Sequence, residues 1–94
     1  MQVTAGSLNT NGQESAVLTA VLTETAARLF VWPIRTDGCV WLHYQPGGVG
    51  SWIPMQVTGA VTTLTVKSGD KLKISLDFNG DPSPAAKNYR LEIA

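Results

Sequence analysis

The sequence predicts an all-β fold, an antiparallel β-sandwich or partly open barrel of about 7–8 strands. Three observations lead there. Lys71 to Phe78 alternates without a break, placing Leu72, Ile74, Leu76 and Phe78 on one face and Lys71, Lys73, Ser75 and Asp77 on the other. The tail does the same, with Tyr89, Leu91 and Ile93 opposite Asn88, Arg90 and Glu92. A period of two with one wet face is the pattern of half-buried antiparallel strands. Between such runs, Gly, Asp, Asn and Pro recur every eight to twelve residues, the turn spacing of a sandwich or small barrel.

The elements follow in order. Residues 1–13 are polar and punctuated by Gly6, Asn9, Asn11 and Gly12, and read as an N-terminal arm or edge strand (Gln2 to Ala5). Residues 14–94 form a single β domain, since 94 residues hold one core. Ala16 to Leu29 fits two patterns. Val17/Val21 and Leu18/Leu22 recur at helical spacing, whereas Leu18, Ala20 and Leu22 alternate in a stretch dense in Val and Thr. The second pattern favours a strand over Ser15–Thr23 and a bend through Glu24–Ala27. Leu29–Arg35 and Cys39–Gln45 flank Thr36-Asp37-Gly38, a strong hairpin signal. A second hairpin runs from Cys39–Gln45 through the glycine-rich tip Pro46–Ser51 to Trp52–Val57, and Gly47, Gly48 and Gly50 make that tip flexible. Ala60–Lys67 and Lys71–Phe78 follow, joined by Ser68-Gly69-Asp70. Pro33 and Pro54 each mark an edge, bulge or strand end, because proline cannot donate to a ladder.

Composition narrows function by exclusion. Hydrophobic residues make up 44 % of the chain but charged ones only 15 %, against about 25 % in typical domains. Seven basic and seven acidic residues cancel, so no bulk field draws the chain to nucleic acid or anionic membrane. The start lacks the basic and apolar regions of a signal peptide, and no apolar run is long enough for a membrane helix. Cys39 is the single cysteine, expected as a small buried hydrophobe.

No constellation predicts catalysis, a metal or a cofactor. His43 shares strand parity with Cys39 and Trp41, but residues four apart on a strand lie about 13 Å apart, too far for proton transfer. Asp77, Asn79, Asp81 and Ser83 imitate the opening of a calcium loop, yet Pro82 stands where glycine is needed and Asn88 where a bidentate Glu is needed. The glycine-rich tip opens a strand, not a helix, and lacks the Lys-Ser/Thr pair of a phosphate loop. What stands out is aromatic: Trp32, Trp41 and Trp52. Together with Pro33 and Pro54 they are the candidate interface residues, while Trp41 and Trp52 are the alternative candidates for stacking on a sugar.

Leu29-Phe30-Val31-Trp32-Pro33-Ile34, the hairpin Val40-Trp41-Leu42-His43-Tyr44 through Gly47-Gly48 to Ser51-Trp52, and Ser68-Gly69-Asp70-Lys71-Leu72-Lys73-Ile74 carry a resemblance. In these segments, about two thirds of the chain, the sequence resembles small β-rich virion proteins of tailed bacteriophages, of the capsid-decoration and fibre-like accessory type. That resemblance implies a non-enzymatic structural protein made in the host bacterial cytoplasm and carried in the virion. It implies a major capsid or other virion protein as partner and a homo-oligomer, a trimer in the first instance. The alternative is a carbohydrate-binding β-sandwich module that uses exposed Trp41 or Trp52 beside the Gly47–Ser51 loop.

Overall fold

The computed structural model describes residues 1–33, 38–78, 80 and 86–94. Among them run eight strands: β1 (Gln2–Leu8), β2 (Leu18–Thr19), β3 (Ala26–Trp32), β4 (Val40–Gln45), β5 (Ile53–Gln56), β6 (Val61–Thr65), β7 (Lys71–Leu76) and β8 (Lys87–Ile93). They form two antiparallel four-stranded sheets, a first of order β1-β8-β3-β6 and a second of order β2-β7-β4-β5. The all-β class and strand number are as the sequence predicts.

The alternating segments occupy the interior strands. Leu72, Ile74 and Leu76 of β7 are buried beside Leu42 of β4, which lies opposite Ile74 in register. Tyr89, Leu91 and Ile93 of β8 are buried in the first sheet, with Leu91 set between Thr4 of β1 and Leu29 of β3. Side chains on the inner parity of both sheets therefore meet in one core. The β4–β5 hairpin also forms where the sequence puts it, with Tyr44 opposite Ile53 and Trp41 opposite Gln56.

Four expectations need correction. The hairpin across Thr36-Asp37-Gly38 does not form as one ladder: β3 lies between β8 and β6, and β4 lies between β7 and β5, in opposite sheets. Gly38 does adopt the positive φ (69°) that the turn signal requires, and Ile34–Asp37 lie outside the described residues. Turn chemistry fixes where a chain changes direction, not which sheet receives the next strand.

The strand expected over Ser15–Thr23 is regular only at Leu18–Thr19. The chain before it nevertheless lies extended along β7: Gly12 N–H donates to Leu76 O (2.7 Å), Leu76 N–H to Gln13 O (2.9 Å) and Ser15 N–H to Ile74 O (2.8 Å). The expected bend ends early, because β3 starts at Ala26. Glu24 closes that turn: its buried carboxylate accepts from Val21 N–H (3.0 Å) and Gln2 Nε2 (2.7 Å).

The glycine-rich tip is held rather than loose. Pro46–Gly48 makes a 3-10 turn, and the Gly47 N–H donates to Asp70 Oδ1 at 2.8 Å. Gly48 (φ 71°) approaches Gly69 so closely that an added Cβ would stand 2.7 Å from the Gly69 carbonyl, which leaves glycine as the residue that fits. The two prolines differ in role. Pro54 sits on β5, an edge strand, whereas Pro33 follows the end of the interior strand β3.

Candidate functional site

Two surfaces compete for a functional role, the outer faces of the two sheets. On the second sheet, β4 turns Trp41 and His43 outward and β7 turns Lys73 and Ser75 outward, with Trp41 opposite Ser75 and His43 opposite Lys73. Glu14 joins them from the flanking segment through a bridge to Ser75. The resulting contacts are short. His43 Nε2 and Ser75 Oγ lie 2.7 Å apart, Lys73 Nζ pairs with Glu14 Oε2 at 2.6 Å, and the same ammonium sits 4.7 Å from the centre of the Trp52 ring. Glu14, His43, Lys73 and Ser75, with Asn11 and Asp77, line a recess of about 360 Å³.

Burial lowers the His43 pKa, the Lys73 charge lowers it further, and the Glu14 carboxylate opposes them. The imidazole is thus neutral at pH 7, since its ordinary value is about 6.5. This carries a pH dependence. Below about pH 6.5 the unfolded chain takes up a proton at His43 that the folded chain still refuses, so stability falls as pH drops through that window. Urea unfolding at pH 7.5 and pH 5.5 is expected to show a smaller loss for His43→Gln than for wild type. Identical losses would contradict this electrostatic account.

A histidine facing a serine hydroxyl is a pairing that nucleophilic catalysis uses, but the chemistry also needs preorganised donors for the developing oxyanion. The Ser75 backbone faces β4, opposite Trp41, while the bridge to Glu14 is closed by the Ile74 carbonyl and the Leu76 N–H on either side of it. What the arrangement offers is a polar recess. The pair is invisible in sequence because its members are 32 residues apart and meet only through strand register. Cys39, expected on the same face as Trp41 and His43, is instead in the core, with its Sγ 3.5 Å from the Phe78 carbonyl. It precedes the first residue of β4, so strand alternation does not govern its direction. Asn79 and Asp81–Ser83 lie outside the described residues. Among the described residues no group of three or more His, Cys, Asp or Glu could hold a metal ion.

The first sheet presents a different surface. Its outer rows, read across β1-β8-β3-β6, are Val3–Glu92–Arg28–Thr63 and Ala5–Arg90–Phe30–Val61, with Ser7–Asn88–Trp32 beyond. Phe30 lies between Val61 and Arg90, and Trp32 stands two residues along the same strand. Trp32 is 50 % exposed and Val61 53 %. The Arg90 Nε–Glu92 Oε2 pair at 3.1 Å borders the strip.

The five candidate interface residues therefore do not form one patch. Trp32 and the exposed Pro33 belong to the first sheet's end; Trp41, Trp52 and Pro54 belong to the second sheet's side. Trp41 is half-buried, and its Nε1 is enclosed with no hydrogen-bond partner among the described residues. Phe30 and Val61 are the members of the aromatic strip that the sequence does not single out. Only the strand register brings Val61 beside Phe30.

No family model matches the chain, and no curated protein matches it. Among solved structures, it is similar in fold to the Drosophila melanogaster CENP-C cupin domain. The TM-score is 0.56 at 9 % sequence identity, over 98 % of this chain and 59 % of that chain. The chain thus spans 59 % of that domain's length. At such an identity the likeness concerns the β fold alone.

Proposed function

We propose that this chain is a non-enzymatic structural module of a virion, which decorates or stabilises the particle by docking through the outer face of its first sheet. The observation that carries the reading is the strip in which exposed Trp32 and Val61 flank half-buried Phe30, beside Arg28, Arg90 and Glu92 on the same outer face. An apolar, aromatic strip with a polar border is the composition of an interface centre, and Trp is the residue type that most often dominates one. Low charge supports the same reading, as does the segment layout that resembles phage accessory proteins. The partner is a sister copy or a shell protein, met by burial of apolar surface rather than by charge. The carbohydrate reading has less behind it, because Lys73 occupies a face of the Trp52 ring and the Trp41 indole nitrogen is enclosed.

The test is mass spectrometry of gradient-purified virus particles recovered from cells whose genome or resident virus encodes the chain. The chain is expected in the particles, and Trp32→Glu is expected to lower its incorporation at least tenfold, the scale of a lost interface anchor. Absence from the particles, or full incorporation of the folded Trp32→Glu chain, would overturn the proposal.

A further inference from the structure

The backbone of the first sheet specifies which of its groups face outward at each edge. Ala94 and Ala26 exchange both backbone bonds, at 2.9 and 3.0 Å. Because the direction of N–H and C=O alternates along a strand, Asn88, Arg90 and Glu92 of β8 bond to β3, and Lys87, Tyr89, Leu91 and Ile93 bond to β1. In β1, Gln2, Thr4, Gly6 and Leu8 are then the bonded set by register, and Val3, Ala5 and Ser7 point away from the sheet. At the other edge, Val31 N–H donates to Ala60 O (3.1 Å) and Val66 N–H to Thr25 O (2.9 Å). The same alternation assigns Thr62 and Leu64 to β3 and leaves Val61, Thr63 and Thr65 pointing outward. Of these outward groups, the Ser7 carbonyl is taken by Gln13 Nε2 at 2.9 Å.

Sheet edges with unpaired backbone are normally guarded by shortness, charge or proline. The second sheet follows that rule at both ends: the edge beside β7 breaks between the Glu14 bridge, which carries a charge, and the two-residue β2, and β5 carries Pro54. The first sheet breaks it at both ends. Neither Gln2–Leu8 nor Val61–Thr65 contains a charged residue or a proline, and they are seven and five residues long. One interface accounts for both open edges. The four strands alternate in direction, so a second copy set beside β6 in the same orientation presents its β1 antiparallel. A two-fold β1–β1 contact would leave β6 open, whereas a head-to-tail contact uses both edges and closes into a ring where the rotation permits.

We infer that copies of this chain join head to tail, β6 of one pairing with β1 of the next to continue the first sheet across the assembly. The pairing extends the outer row Ala5–Arg90–Phe30–Val61 into the neighbouring copy and covers Val61 and Val3, which are 53 % and 41 % exposed in the single chain. This rests on the assembly role proposed above and adds a second surface to it: the outer face docks on the particle, and the sheet edges join the copies.

Ala5→Pro and Thr63→Pro each delete one outward N–H and spare the bonds to β8 and β3. By size exclusion with light scattering, wild type is expected as an oligomer and each variant alone as a 10.0 kDa monomer. An equimolar mixture of the two variants is expected to give one-to-one dimers, since each supplies the edge that the other lacks. Ala5→Lys and Thr63→Lys, which keep the N–H, serve if a proline variant fails to fold, and are expected to dissociate as well. Oligomers that survive both substitutions overturn the inference, as does a variant mixture that stays monomeric. So does dissociation by Ala5→Pro alone, which would indicate the two-fold contact. A monomeric wild type that still enters particles overturns this inference and leaves the proposed function standing.

Discussion

Asp70→Ala is expected to lower the unfolding free energy by about 3 kcal/mol or more, read from the urea midpoint. Asp70 is 3 % exposed. One carboxylate oxygen accepts from Tyr44 Oη and Lys67 N–H, and the other from Gly47 N–H, all at 2.8 Å. This single side chain fastens the β4–β5 tip to the turn between β6 and β7. Alanine removes three charge-assisted hydrogen bonds, each part-buried, and bonds to a charged acceptor contribute about 1.5–3 kcal/mol each before water replaces some of them. Small domains have only about 5–15 kcal/mol in total, so the variant should be close to unfolding at 37 °C. The charge state adds a signature. Burial pushes the Asp70 pKa up, but the Gly47 and Lys67 N–H groups, the Tyr44 hydroxyl and the Lys67 charge outweigh it and hold it below the ordinary value. The stabilisation is therefore present above the unfolded carboxylate pKa of about 4 and is lost as pH falls through the lower, folded value. Asp70→Asn should be destabilised at neutral pH and lose less on acidification than wild type. A loss below about 1 kcal/mol for Asp70→Ala would show that solvent replaces the carboxylate at little cost.

Leu91→Ala is expected to cost about 2–5 kcal/mol, the range for deleting a buried leucine side chain that the surroundings cannot refill. Leu91 has no exposed surface and stands at the centre of the first sheet between Thr4 and Leu29. The matched control is Leu22→Ala. Leu22 is 84 % exposed, so the same chemical deletion should move stability by less than about 0.5 kcal/mol. Equal effects at the two positions would contradict the placement of β8 in the core.

The contrast between these leucines also shows what a sequence displays. Leu91 declares itself through alternation with Arg90 and Glu92, a pattern complete within a few residues. For that reason β7, β8 and the β4–β5 hairpin are legible in the sequence alone. Leu22 alternates with Leu18 and Ala20 just as well, yet only Leu18 and Ala20 are buried. There the chain leaves the edge of β7 and turns back through the Glu24 contacts, which depend on Gln2 at the far end of β1. Long-range pairing of this kind leaves no local trace.

The candidate site is legible in the same partial way. Trp32 stands out in the sequence as a contact residue, but its companions Phe30 and Val61 form a strip only once β3 and β6 are in register. The three tryptophans cluster in sequence and divide between opposite faces because β3 and β4 belong to different layers. Asp70 reads as an ordinary turn former, since nothing nearby reveals that Tyr44 and Gly47 converge on it from 26 and 23 residues away. Lys87 is buried at an inward position of β8, which its residue type argues against.

That this chain is an assembly module joining its own copies is tested most directly by the absolute mass of the wild-type protein in solution. Light scattering coupled to size exclusion should return a whole multiple of 10.0 kDa greater than one, steady across the peak and on moderate dilution. A monodisperse 10.0 kDa species at every concentration would contradict it.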